Sequence, residues 1–215
     1  MPHMPKKHKL PPAHVLALDP SVRAKIPTQP LAPPVILETE NYRVRSLRPT
    51  DVGSSLQQWL KDKDVLAGLN IPQVEWSAER LQKFIASFDN RTKYIIGIFD
   101  ISNSNIIGFY TVDVNHKHKT AQLTAAIGDK SEWGKNILVE TAIPLVDHFF
   151  DKREVEKITA RIISTNKRVF FNFMNSDLFH LEARLQEEIL SPAGARLDVF
   201  QFAAFKSRRP GRVGT

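Results

Sequence analysis

The stretch Ile127-Gly-Asp-Lys-Ser-Glu-Trp-Gly-Lys-Asn-Ile-Leu-Val-Glu140 leaves an alternating strand pattern, crosses a polar turn and enters a helical one. Before it, Thr120 to Ile127 reads as a strand. After it, Val139, Ala142, Ile143, Val146 and Phe149 recur at helical spacing, so the helix is expected over Asn136 to Phe150. A helix start offers free backbone N–H groups and the positive end of the helix dipole, which suits a phosphate. Such loops often hold two glycines inside the turn. Here Gly134 stands alone, and Asn136 sits where the helix begins. Asparagine is the non-glycine residue best able to adopt positive φ, so it can keep the turn. Lys130 and Lys135 add positive charge beside it.

Working outward, a strand from Val155 to Ile163 follows the helix, which makes a βαβ unit with a parallel strand pair. Upstream, Tyr42 to Leu47 alternates as a strand and is ended by Arg48-Pro49. Thr50 and Asp51 are read as caps of a helix running to about Leu60, and Ser77 as the cap of a second, Ala78 to Phe88. Strands at Tyr94–Asp100 and Ile106–Val114 are joined by the turn-forming Ser102-Asn-Ser-Asn105. Downstream come a short helix from Asn166, a break at Ser176-Asp177, and strands at Phe179–Ile189 and Leu197–Phe205. Successive strands with short turns imply an antiparallel meander. The expected class is therefore α/β with a mixed, mostly antiparallel twisted sheet, one βαβ unit and flanking helices.

The 215 residues suit one domain with material left for tails. There is no cysteine, which excludes disulfides and thiolate chemistry, and no run of apolar residues is long enough to span a membrane. The net charge of +7 resides in the ends: residues 1–35 carry five basic residues and one acid, and 206–215 carry four basic residues. The segment 36–205 holds 21 basic and 22 acidic residues, so nucleic acid is not expected as the main ligand. Nine of the fourteen prolines fall in residues 1–35. The expected organisation is a proline-rich basic arm over 1–38, a folded domain over 39–206 and a basic tail over 207–215, in a cytoplasmic protein. His116 and His118 flank lysines in a polar loop, and no metal site is expected.

Several stretches, in order, carry a resemblance: Tyr42-Arg-Val-Arg-Ser-Leu-Arg-Pro-Thr-Asp51, Ile106-Ile-Gly-Phe-Tyr110, the opening turn, Asn166 to Phe173, and the last two strands. Over residues 40–207 the chain resembles the GNAT superfamily of acyl-CoA N-acyltransferases, in particular the branch of ribosomal-protein N-terminal acetyltransferases. The resemblance implies acetyl-CoA or another acyl-CoA as cosubstrate, no metal, and an amine acceptor, either a small molecule or a protein N-terminus. A homodimer stays open. It also implies cofactor contacts at Ala126, Ile127, Trp133, Gly134, Lys135, Asn136, Ile137, Leu138, Asn166 and Phe173. In the family, the strand before the loop splays from its neighbour, and a freed N–H in Ala125-Ala-Ile-Gly128 would stabilise the thioester oxygen.

The sequence departs from the family pattern at three places. Asn136 stands for the loop's central glycine, Leu138 for its final small residue, and Phe173 for a tyrosine that would protonate the leaving thiolate. Glu75, Ser176 and Asp177 are the remaining catalytic candidates, each with an ordinary surface or turn role as the alternative. Two functions follow: an N-acyltransferase working by direct attack in a ternary complex, or a catalytically weakened CoA-binding sensor or assembly module.

Overall fold

The computed structural model describes residues 32–209. Most of the arm, 1–31, and the end of the tail, 210–215, lie outside the described residues. Eight strands form one sheet: β1 Ile36–Glu38, β2 Tyr42–Ser46, β3 Lys93–Asp100, β4 Ile106–Asn115, β5 Thr120–Ile127, β6 Lys157–Ile163, β7 His180–Leu190 and β8 Arg196–Phe205. Their order is β1-β2-β3-β4-β5-β6-β8-β7, and only β5 and β6 run parallel. The mixed, mostly antiparallel sheet expected from the sequence is what forms.

Strand alternation sends side chains to both faces, and helices cover each. Ile95, Phe109 and Ala126 face α1 (Ser54–Trp59), α2 (Lys63–Leu69) and α3 (Ala78–Ala86), which bury Leu56, Trp59, Leu66, Leu81 and Ile85 against them. Tyr94, Ile96, Tyr110 and Val112 face α4 (Ile137–Lys152) and α5 (Lys167–Met174), with Leu145, Phe149 and Phe150 at the centre of that layer. The side-chain oxygen of Ser77 accepts from Arg80 N at 3.2 Å, capping α3 as its position predicts.

Two local readings need correction, and parts of the expected arm and tail contact the domain. The first helix does not start at Thr50 or Asp51. Arg45 donates two bonds to the Asp51 carboxylate (2.8 and 2.9 Å) and the Arg48 N–H a third (2.6 Å), so residues 49–51 close a 3-10 turn and α1 begins at Ser54. Second, α2 was not expected. Asp62 caps it by accepting from Asp64 N and Val65 N, and Asn70 closes it in the left-handed region at φ 52°.

Within the expected arm, residues 35–38 join the domain. Val35 is fully buried, Ser46 exchanges hydrogen bonds with its backbone (3.0 Å each way), and β1 pairs with β2. Of the expected tail, Arg209 is tied to α4. Arg209 binds Asp147 (2.6 Å) and Asp151 (2.8 and 3.0 Å), and Lys206 Nζ donates to the Phe150 carbonyl in the last turn of α4. Both ends of the described chain therefore grip the C-terminal half of α4, since Arg153 also donates to Pro33 O at 2.7 Å.

Candidate active site

β5 and β6 begin as neighbours and then part. Their register runs from Thr120 opposite Lys157 to Leu123 opposite Ala160 and stops there. β5 nevertheless continues to Ile127 along β4, and β6 to Ile163 along β8, so a wedge opens between them. Backbone polar groups alternate in direction along a strand. Gly128 N donates to Ile107 O on the β4 side at 2.9 Å. The odd-numbered residues face the other way: Thr159 Oγ1 donates to Ala121 O at 3.3 Å, and the Trp133 indole donates to Ile127 O at 2.9 Å. The backbone edges of Ala125 and Ile127 thus look into the wedge, where β6 supplies no ladder partner.

The turn after β5 is built from short-range bonds. Asp129 accepts from Ser131 N and closes a 3-10 turn over Lys130–Glu132. Gly134 takes φ 95°, and Asn136 takes φ 54° and ψ 20°, the left-handed conformation that its identity permits. Helix α4 then starts at Ile137. Among the described residues, the N–H groups of Gly134, Asn136, Ile137 and Leu138 have no hydrogen-bond acceptor. Free N–H donors in the turn and at the start of a helix suit an anion.

Side-chain charge around this turn differs from the sequence reading. Lys130 binds Asp62 (2.8 Å) and Asp64 (2.5 Å), and these bonds raise its pKa above the usual lysine value. Lys135 is likewise held by Glu132 at 2.7 Å. The uncompensated positive charges come from the start of α5. Lys167 and Arg168 have no carboxylate partner among the described residues, and the Arg168 guanidinium lies 5.1 Å from the Trp133 ring centre. They stood in plain view in the sequence, but only the fold brings α5 beside the turn.

Two cavities meet at the wedge. One of about 600 Å³ opens between α2 and the starts of α4 and α5. The other, about 490 Å³, lies between α4 and α5 and reaches the turn before β7. Both are lined by Ala125, Asn136, Leu138 and Asn172. A narrow gap of about 60 Å³ between Thr124–Ala125 and Arg161–Ile163 is the wedge itself.

The larger cavity gathers Ala126, Ile127, Trp133, Gly134, Lys135, Asn136, Ile137, Leu138 and Asn166, nine of the ten residues the resemblance assigns to the cosubstrate. Asn166 caps α5, accepting from Val169 N at 3.4 Å, and its amide donates to Gly68 O at 3.2 Å, which ties α5 to α2. Leu138 is partly buried against the α4–α5 layer. Phe173 lines the wedge and the second cavity, with its ring 4.8 Å from Phe179 and 5.4 Å from Phe202.

Of the catalytic candidates, Ser176 accepts from Leu178 N and Phe179 N at 3.2 Å, and it lines the second cavity with the exposed Asp177. Glu75 is exposed and lines neither cavity, while its carbonyl accepts from Arg80 at 3.2 Å. His116 meets Arg91 O at 3.0 Å, and among the described residues no cluster of His, Asp and Glu suits a metal ion. No helix among them is long and apolar enough to cross a membrane.

No curated protein sequence matches the chain. Among solved structures, spermidine N-acetyltransferase from Vibrio cholerae, in complex with CoA and spermine, superposes with a TM-score of 0.70 at 17% identity, over 79% of this chain and 98% of that one. Ribosomal-protein-S5-alanine acetyltransferase from Vibrio fischeri gives 0.70 at 17% identity, over 82% and 100%. A ribosomal L7/L12 alpha-N-protein acetyltransferase gives 0.68 at 19%, over 81% and 99%. At these identities the likeness is one of fold. The family model for the acetyltransferase (GNAT) domain matches residues 42–170, well over half of the chain, and the protein belongs to the GNAT acetyltransferase family.

Proposed function

We propose that the protein moves an acyl group from an acyl-CoA to an amine by direct attack in a ternary complex. One observation carries the reading: the unpaired edge of β5 and the acceptor-free N–H groups at the start of α4 open into the same cavity. These residues fit the cosubstrate. The N–H groups of Gly134, Asn136, Ile137 and Leu138 would take the diphosphate, Lys167 and Arg168 would add positive charge, and the edge at Ala125 and Ile127 would run beside the pantetheine arm. When bound, acyl-CoA would supply a thioester, whose acyl carbon is open to a nucleophile.

The chain's own contribution is placement and a donor. An N–H on the free β5 edge, at Ala125 or Ile127, stabilises the negative charge that grows on the acyl oxygen as nitrogen attacks. A C–N bond forms, the C–S bond breaks, and nitrogen's proton leaves while the thiolate gains one. Phe173 donates no proton, so the thiolate takes its proton from water. The acceptor is a small amine or a protein N-terminus, and a cysteine-free chain suits a reducing, cytoplasmic setting. Phe173 and the paired Lys130 and Lys135 favour a second reading, a weakened CoA-binding module.

Calorimetry at low salt on the full chain, with CoA and acetyl-CoA, tests binding. An acceptor screen over peptides and polyamines then tests transfer. Neither heat nor a thermal shift at millimolar CoA would defeat both readings, whereas binding without transfer to any acceptor would leave only the second.

A further inference from the structure

We propose that the groove between α4 and α5 seats the alkyl chain of an acyl-CoA longer than acetyl. This rests on the acyltransferase reading above and adds a substrate class to it. The groove holds about 490 Å³ and joins the wedge directly, because Leu123, Ala125 and Phe173 line both. A chain leaving an acyl carbon in the wedge passes straight into it. Acetyl has one methyl group and would leave the groove empty. A methylene is close in size to a water, whose share of liquid volume is roughly 30 Å³, so a six- to eight-carbon chain fits.

The groove is apolar where a chain would enter. Phe173 presents a phenyl ring there, packed on Phe179 and Phe202, where the resemblance predicts a phenol. The Tyr110 hydroxyl is spent: it meets Thr141 Oγ1 at 2.6 Å, and Thr141 donates to Ile137 O at 2.7 Å, while the polar lining residues Asn172, Asn175, Ser176 and Asp177 belong to α5 and the turn after it. Burial also pushes the Tyr110 pKa well above the usual tyrosine value, so it stays neutral. Asp147, at the outer end, is paired with Arg209. Along the floor, Val139 and Ile143 lie one helical turn apart and are 48% and 49% exposed. A chain lying in the groove would cover them, whereas water gains nothing from that surface.

The test is a titration series on the full chain with CoA, acetyl-, butyryl-, hexanoyl- and octanoyl-CoA, repeated with Ala142→Phe, whose ring would fill the groove. Affinity should rise with length, by up to roughly fourfold per methylene, so that octanoyl-CoA binds tenfold to a hundredfold tighter than acetyl-CoA. Ala142→Phe should abolish that gain and leave CoA and acetyl-CoA within about twofold. Should Ala142→Phe fail to fold, Ile143→Asp on the exposed floor replaces it, with the same expectation. CoA binding with no gain beyond acetyl would overturn the inference and leave the acyltransferase reading standing. Equal loss for CoA and octanoyl-CoA in the variant would also overturn it, since the groove would then hold the cosubstrate's own body. If no CoA species binds, the underlying reading falls as well.

Discussion

Gly128, the first residue beyond β5, is the point at which a single methyl group should cost most. A Cβ built there would lie 1.9 Å from Trp59 Cδ2, with Cε3 at 2.3 Å and Cε2 at 2.4 Å. Carbon atoms at rest sit about 3.5–4.0 Å apart, so the indole or the strand end must retreat by roughly 1.5 Å. Neither is free to do so. Trp59 is buried among Leu56, Leu66 and Phe109, and Gly128 N is held to Ile107 O. Overpacking of this kind costs about 1–3 kcal/mol, and three ring atoms in collision place Gly128→Ala near the upper end, about 3 kcal/mol. Trp59→Leu alone should cost about 2–4 kcal/mol through the cavity it leaves. The double variant should be no less stable than Trp59→Leu, because the methyl then has space. Urea unfolding of all four proteins gives the coupling energy, expected at about 2 kcal/mol or more in favour of the pair. Additive losses would show that Gly128 is needed for some reason other than the indole.

Asn136→Gly should leave stability and CoA binding intact, whereas Asn136→Ala should lose about 1 kcal/mol, since alanine meets the left-handed penalty that asparagine lessens; chemical denaturation with calorimetry distinguishes them. Arg209→Ala removes three charge-assisted bonds from the end of α4 and uncovers Phe150. Because Asp147 and Asp151 are partly exposed, the loss is discounted to about 1–2 kcal/mol, a fall in Tm of a few degrees by thermal melting. His148 is held below the ordinary histidine pKa of 6.5 by burial and then by Arg153 and Lys152, and its Nε2 is buried without a partner among the described residues. The unfolded chain therefore takes up a proton that the fold refuses, and stability should fall as pH drops below about 6.5. His148→Phe should flatten that part of the pH profile, and an unchanged slope in urea midpoints from pH 7.5 to 5.5 would count against the assignment.

What was legible in the sequence follows from how each element is stabilised. β5 matches its alternation from Thr120 to Ile127, and α3 and α5 start where Ser77 and Asn166 cap them, because those signals are local. α2 escaped notice because seven residues with apolar Val65, Leu66 and Leu69 make too short a window, and such a helix exists only by packing. β1 was hidden by Pro33-Pro34, which read as arm, although Val35 is drawn into the core by burial. The wedge had no local signature of its own, since it is a pairing that stops, and only the family resemblance pointed to it. The charge around the turn differs from its sequence because Asp62 and Asp64 neutralise Lys130 from more than sixty residues away.

The three departures from the family pattern act differently once placed. Asn136 costs little, because it holds the left-handed turn, and Leu138 turns partly into the α4–α5 layer. Phe173 bears on the proposed chemistry, since it has no proton to give, and it is not alone in doing so. The narrow gap of the wedge is lined by Gln122, Thr124, Arg161 and Asn166, with no carboxylate or imidazole among its described residues. An attacking amine must then arrive neutral or lose its proton to water. At pH 7 an alkyl amine with a pKa near 10.4 is neutral in fewer than about one molecule in a thousand, whereas an α-amine near 8 is neutral in about one in ten. Lower basicity gives back part of that advantage. If the protein acylates amines as proposed, peptide N-termini should still outpace lysine side chains and polyamines at pH 7, by roughly tenfold to a hundredfold. The gap should close as pH is raised toward 10, when both kinds of amine are free. A polyamine preferred at pH 7 and at pH 10 alike would mean that a carboxylate beyond the narrow gap, such as Asp177 or Glu132 in the adjoining cavities, serves as base or anionic clamp.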